Sequence, residues 1–181
     1  EYMDPKKGCK VFENMEYELC AHMFEELNPV LTARVLEHME DVYSAPVLGY
    51  MTQEATIAAL APMDPNSAAK LIRQMKPKQA SAVVAVMSPK TGANALERIN
   101  AQNAASVLEE LSDSQAAAVL ESMEMDAAPA IIARMDPSKS CTVISAMDPK
   151  LGSDGLKEMN QDTCVLCMGL MPPVTISKLF S

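Results

Sequence analysis

The chain has 181 residues, of which 49% are hydrophobic and only 4% aromatic, with no Trp, 15 Met and a formal net charge of −9. That charge argues against nucleic acid or an anionic membrane as partner, and the shortage of aromatics argues against a deep, aromatic-lined ligand pocket. No apolar run reaches the length of about 18 residues that a membrane span needs, so no membrane insertion by this segment is expected, and no signal peptide is visible.

A twelve-residue register runs from end to end. Stepping by twelve from Met63 gives anchors at Met3, Met15, Leu27, Met39, Met51, Met63, Met75, Met87, Ile99, Leu111, Met123, Met135, Met147, Met159 and Met171, so twelve of fifteen are Met and the others aliphatic. With the anchor as position 1, position 3 is Pro in eight units and position 2 is often Asp, Asn or Ser. A short polar residue followed by Pro is an N-cap followed by the first helical residue: the cap oxygen takes an orphan N–H, and Pro forfeits no hydrogen bond there. Each unit therefore predicts a helix from position 3, about nine residues and roughly 13 Å long. Positions 6, 9, 10 and the next anchor share one face. Position 10 is large and apolar in every unit, positions 6 and 7 are mostly small, and positions 4 and 8 are mainly polar and should face solvent.

In chain order, residues 1–62 are the least regular and most acidic stretch, with 11 acidic and four basic residues. Glu25, Glu26, Glu37, Glu40 and Asp41 gather at unit junctions. Such carboxylates suit helix N-termini, where the macrodipole favours them; the alternative is a surface for a basic partner or a divalent cation. The unit from Met39 has Asp41 in place of Pro, then Pro46 and Gly49. An interior Pro costs about 3 kcal/mol, so this helix is expected to be short or broken, with Tyr43 and Tyr50 beside the break. Elements that violate local rules without internal benefit point to function. Glu25, Glu26, Glu37, Glu40 and Asp41, with Tyr43 at the rim, are therefore the candidate partner-binding residues.

Residues 63–123 are regular. The unit from Met123 carries Pro129 at position 7, which predicts a late start with Asp126 as cap. Gly152 and Gly155 in the unit from Met147 each cost about 1 kcal/mol against Ala, so fraying is expected there. Cys164 and Cys167 form a CxxC, but they occupy positions 6 and 9, and Cys9, Cys20 and Cys141 also fall in small core slots. With no second CxxC and no nearby His, a structural role is expected over zinc or redox chemistry, as is a reducing compartment. His22 and His38 fall at polar positions. No phosphate loop, nucleophile–base pair or rigid carboxylate pair is present, so neither catalytic residue, metal site nor cofactor is assigned. Glu1, Tyr2 and Ser181 fall within incomplete units, and the array is expected to continue beyond both ends.

A single unit cannot fold alone. Its few apolar side chains yield about 1.5–3 kcal/mol each, against about 1–2 kcal/mol per backbone residue ordered. Stacking is compulsory, and the expected fold is all-α: an α-solenoid superhelix of about fifteen short helices, one continuous domain over 1–181, irregular over 1–62 and more regular over 63–181.

The unit pattern M-D-P-x-x-A-A-x-[VLI]-[LI]-x-x, clearest in residues 63–123 and 135–151, resembles the intracellular N domain of MgtE-type magnesium transporters. It is also similar to the helical repeats of the flagellar proteins FliG and MotE. The resemblance implies a superhelix of short helices. It also implies, in the MgtE case, Mg²⁺ held by carboxylates between the N domain and a following CBS domain, of which this sequence has no β-containing counterpart. Two functions are therefore expected. The first is a non-enzymatic scaffold docking other proteins of a larger assembly, including one with a basic surface. The second is a divalent-cation-sensing regulatory domain of an MgtE-type transporter.

Overall fold

The computed structural model describes residues 4–124 and 126–180, apart from the side chains of Pro5 and Asp41. Glu1, Tyr2, the anchor Met3, and Ser181 lie outside it. Among the described residues there are fifteen helices and no strand. The chain divides into two compact units, Glu1–Val86 and Met87–Ser181.

The first unit holds α1 (Pro5–Phe12), α2 (Tyr17–Glu26), α3 (Pro29–His38), α4 (Asp41–Tyr50), α5 (Gln53–Leu60), α6 (Pro65–Ile72) and α7 (Pro77–Val86). The second holds α8 (Pro89–Leu96), α9 (Ala101–Glu109), α10 (Asp113–Glu121), α11 (Ala127–Ile132), α12 (Pro137–Ala146), α13 (Pro149–Glu158), α14 (Gln161–Leu170) and α15 (Pro173–Leu179). Every helix but α11 starts at position 3. The cap logic is visible at Asp64, whose carboxylate accepts the N–H groups of Asn66 and Ser67 at 2.9 and 3.2 Å, and at Ser112, which forms a capping box with Gln115. Helices of ten residues run to position 12, one further than expected, because the next anchor itself serves as C-cap, as Met39 and Met51 do.

Within each unit, helix n stacks on helix n+2: α1 on α3, α2 on α4, α3 on α5 and so on, and in the second unit α8 on α10 through α13 on α15. Each unit is thus two layers of short helices, the α-solenoid arrangement. The expected pattern of burial is present except at position 8, expected to face solvent, which is half-buried at Pro46, Ala82, Asn94, Ser106, Ala118, Ala130 and Asp154, and at the anchors Met15 and Leu27, which are only half-buried. Position 10 is buried from Phe12 to Leu156, and the anchors from Met39 to Met171 are buried apart from half-buried Met75 and Met123. Position 4 is exposed throughout. The rings of Phe12 and Phe24, both at position 10, meet edge to face with centroids 4.7 Å apart, joining the two layers. Position 6 hydroxyls add ties between neighbouring helices: Thr32 donates to the Phe24 carbonyl at 3.2 Å and Ser140 to that of Ile132 at 3.3 Å.

Four local expectations are corrected. The helix expected to break at Pro46 is continuous from Asp41 to Tyr50, with Pro46 inside it. The cost of an interior Pro is borne in a helix that packs on both α2 and α6. The fraying expected at Gly152 and Gly155 is absent, since α13 is a full ten-residue helix. Both glycines are buried where another helix passes so close that a Cβ would meet its side chains. The late start of α11 is as expected, but the Asp126 side chain makes no cap hydrogen bond. Finally, Cys164 is half-buried rather than in the core, in contrast to Cys9, Cys20, Cys141 and Cys167.

Candidate partner surface

The acidic residues singled out from the sequence lie at the ends of α2 and α3 and the start of α4. They are not equivalent. Glu25, in the last turn of α2, accepts the backbone N–H of Thr52, the N-cap of α5, at 2.7 Å. That hydrogen bond, then one with the Thr52 side chain and the nearby His22, holds the Glu25 carboxyl below its usual range. Glu26 and Glu40 are exposed and Glu37 is half-buried. None of these three carboxylates has an internal partner among the described residues. The side chain of Asp41 lies outside the described residues, Tyr43 is half-buried, and Tyr50 is 59% exposed.

The bond made by Glu25 is one of a series that sequence reasoning missed. Position 11 of helix n reaches the position 2 N–H of helix n+3, 27 residues later. In the first unit Glu13 takes the N–H of Glu40 at 3.0 Å. In the second, Glu97 takes that of Glu124 at 2.6 Å, Glu109 that of Asp136 at 2.6 Å, and Glu121 that of Asp148 at 2.7 Å. The N–H at the start of a helix has no intrahelical acceptor, and a carboxylate there is favoured by both charge-assisted bonding and the macrodipole. These glutamates are clamps that set helix spacing. The recurrence of Glu at position 11 was visible in the sequence, but its acceptor role depends on helices 27 residues apart meeting. A basic counterpart sits in the second unit, where Lys139 donates to the Leu111 carbonyl and to the Asp113 carboxylate, each at 2.6 Å, and so holds the Asp113 carboxyl below its usual range.

The first unit also contains an apolar groove of about 290 Å³ that the sequence did not reveal, floored by Leu48, Met51, Met75 and Val83 with Lys76 and Lys78 at its rim. It explains why Met75 is only half-buried.

The cysteines are placed for packing. Burial pushes the Cys20 thiol up to about 11 and the Cys167 thiol up to about 12, and raises that of Cys141 as well. Among the described residues, no three or more His, Cys, Asp or Glu side chains converge closely enough to hold a metal ion. Among the described residues, no helix is long and apolar enough to cross a membrane.

A family model described as the MgtE intracellular N domain matches residues 27–124 and, again, residues 99–181. Searches of curated proteins and of solved structures returned no match. The two family matches overlap and together run from Leu27 to Ser181, as expected when one repeat pattern continues through the chain. The chain belongs to the MgtE intracellular N domain family.

Proposed function

We propose that the chain is a non-catalytic regulatory module of an MgtE-type magnesium transport system, acting by docking another domain through the acidic edge of its first unit. The family match carries this reading. The free carboxylates of Glu26, Glu37 and Glu40 support the location, because Glu13 and Glu25 beside them are committed to helix N-termini. Among the described residues, no side chains of the chain itself compose a complete metal site. A divalent cation in this reading would neutralise or bridge carboxylates of two domains.

Hydrogen exchange of the 181-residue chain in MgCl₂ and in NaCl of equal ionic strength tests the cation. Added protection over α2–α4 with Mg²⁺ alone, lost in a Glu26→Gln, Glu37→Gln, Glu40→Gln variant, is the expected result. Identical exchange in the two salts would remove the cation from the reading. The second function, a scaffold within a larger protein assembly, is favoured by the exposed Val165, Leu166 and Leu170 on α14. Lone surface apolar residues are ordinary, whereas a group of them marks a contact.

A further inference from the structure

The groove of the first unit lies where three features of the repeat depart from their usual form. The first is the clamp. In this unit position 11 is Glu13, Glu25 and Glu37 and then Gly49, whose counterpart along the chain is Lys76. Glu13 and Glu25 accept the N–H groups of Glu40 and Thr52, at the starts of α4 and α5, at 3.0 and 2.7 Å. Gly49 has no side chain to place on α7. Beyond its chain neighbours and the adjacent backbone of its own helix, no atom lies within 4 Å of its Cβ site. Among the described residues, no acceptor reaches the N–H of Lys76 or of Lys78. The second feature is the cap. Position 2 is Asn28, Thr52 and Asp64 before α3, α5 and α6, and each side chain accepts a backbone N–H. Before α7 it is Lys76, whose ammonium can only donate. Lys76 and Lys78 are both exposed, and neither pairs with a carboxylate among the described residues. The local charge reverses with them: residues 1–62 hold 11 acidic and four basic residues, whereas residues 63–86 hold one acidic and four basic.

The third feature is Thr56, at position 6 of α5. Its counterparts Thr32 and Ser140 donate to a carbonyl of a neighbouring helix. Thr56 is only 7% exposed and lines the groove, yet its hydroxyl has no hydrogen-bond partner among the described residues. A side-chain hydroxyl buried to that degree normally has one. Gln53 and Gln79 bring two amides to the same groove, over the floor of Leu48, Met51, Met75 and Val83.

We propose that this groove docks an acidic peptide segment of a partner protein, with a Glu carboxylate between Lys76 and Lys78 at the start of α7 and a neighbouring Leu or Val side chain on the floor. The carboxylate takes the place that Glu13 and Glu25 take at α4 and α5, so the contact is one the fold already makes internally. Positive charge at the rim selects for it, and the acidic stretch before it repels acidic chains elsewhere. At about 290 Å³ the groove falls just short of the roughly 300–1,000 Å³ usual for a whole small molecule, and it suits one or two side chains. Two amides and a hydroxyl match a peptide backbone, which offers donors and acceptors alike. The thioethers of Met51 and Met75 adapt to the apolar side chain. None of these residues belongs to the acidic edge of α2–α4, and the partner segment carries the charge that edge would repel.

The test adds the capped peptide Ser-Ala-Val-Leu-Glu-Glu-Ser to the 181-residue chain labelled at its methionine methyls, with the Met51 and Met75 NMR signals assigned from Met51→Leu and Met75→Leu. Saturable shifts at these two methionines are expected. Lys76→Gln with Lys78→Gln should weaken binding at least about threefold, and added salt should weaken wild-type binding as well. Gly49→Glu fills the open space with the chain's own carboxylate. It should abolish the shifts while keeping or raising the urea midpoint, which separates lost binding from lost folding. Lys150→Gln in the second unit should bind as the wild type does. The proposal is overturned by an absence of shifts at millimolar peptide, by equal shifts from a peptide with both Glu replaced by Gln, or by undiminished binding to Gly49→Glu. Shifts caused by octanoate and not by the peptide would also overturn it, making the groove a site for a small amphiphile.

Discussion

Gly155→Ala should destabilise the second unit, although Ala is the better helix former. Removing a mid-helix glycine is worth about 1 kcal/mol in helix propensity, some of it through a stiffer unfolded chain. The new methyl, however, would sit 2.9 Å from both Cδ1 and Cγ2 of Ile132 and 3.2 Å from its Cβ. Ile132 is itself fully buried and β-branched, so it can move away only by shifting α11 or leaving its rotamer. Overpacking of this kind costs about 1–3 kcal/mol, which leaves a net loss of roughly 1 kcal/mol once the propensity gain, also about 1 kcal/mol, is subtracted. Gly169→Ala on α14 is the control. Beyond its chain neighbours and the adjacent backbone of its own helix, no atom lies within 4 Å of its Cβ site, so it should gain about 0.5–1 kcal/mol. Urea denaturation of both variants at constant m-value reads the difference directly. Ile132→Val removes one of the clashing methyls, so Gly155→Ala should cost less in that background, with a coupling of at least about 0.5 kcal/mol. If Gly155→Ala stabilised as much as Gly169→Ala, the close approach of α11 and α13 would be refuted.

Leu120→Ala, at a position with no solvent exposure, should cost about 2–5 kcal/mol in thermal or urea unfolding, whereas Lys78→Ala on the exposed face should stay within about 0.5 kcal/mol. Glu25 has a folded-state pKa below its unfolded value, so its contribution is present above the ordinary carboxylate range and lost as pH falls through the folded value. Urea melts between about pH 3 and 5 should therefore show a shallower acid loss in Glu25→Gln than in the wild type. Among the cysteines, half-buried Cys164 should react first with a thiol reagent under native conditions, read by intact mass. Cys20 and Cys167, buried and with thiols pushed up to about 11 and about 12, should react only when denaturant is added.

The acidic candidate site was legible only as composition. The clustering of Glu25, Glu26, Glu37 and Glu40 stands in the sequence, but nothing local separates Glu25, held by Thr52 at 2.7 Å, from Glu26 and Glu40, which face solvent. That distinction rests on which helix N-terminus lies within reach of each carboxylate. The groove beside Met75 was illegible for the same reason, since its walls come from α4, α5 and α7 and the segments flanking them.

What the sequence determined by itself is whatever a helix decides within its own turns. Asp64 before Pro65 and Asp148 before Pro149 set helix starts because the cap oxygen and the N–H groups it accepts are two or three residues apart. The faces at positions 6, 9 and 10 follow from 3.6 residues per turn, and they were right from Thr32 to Leu156. Only the tertiary structure decided which face meets which neighbour. Pro46 and Gly155 look alike in the sequence, as breakers inside helices. In the fold, Pro46 is carried by the packing of α4 between α2 and α6, and Gly155 is the space that Ile132 occupies. Propensity is a property of one segment, worth about 1 kcal/mol for such a glycine, and a neighbouring helix packed at van der Waals distance outweighs it.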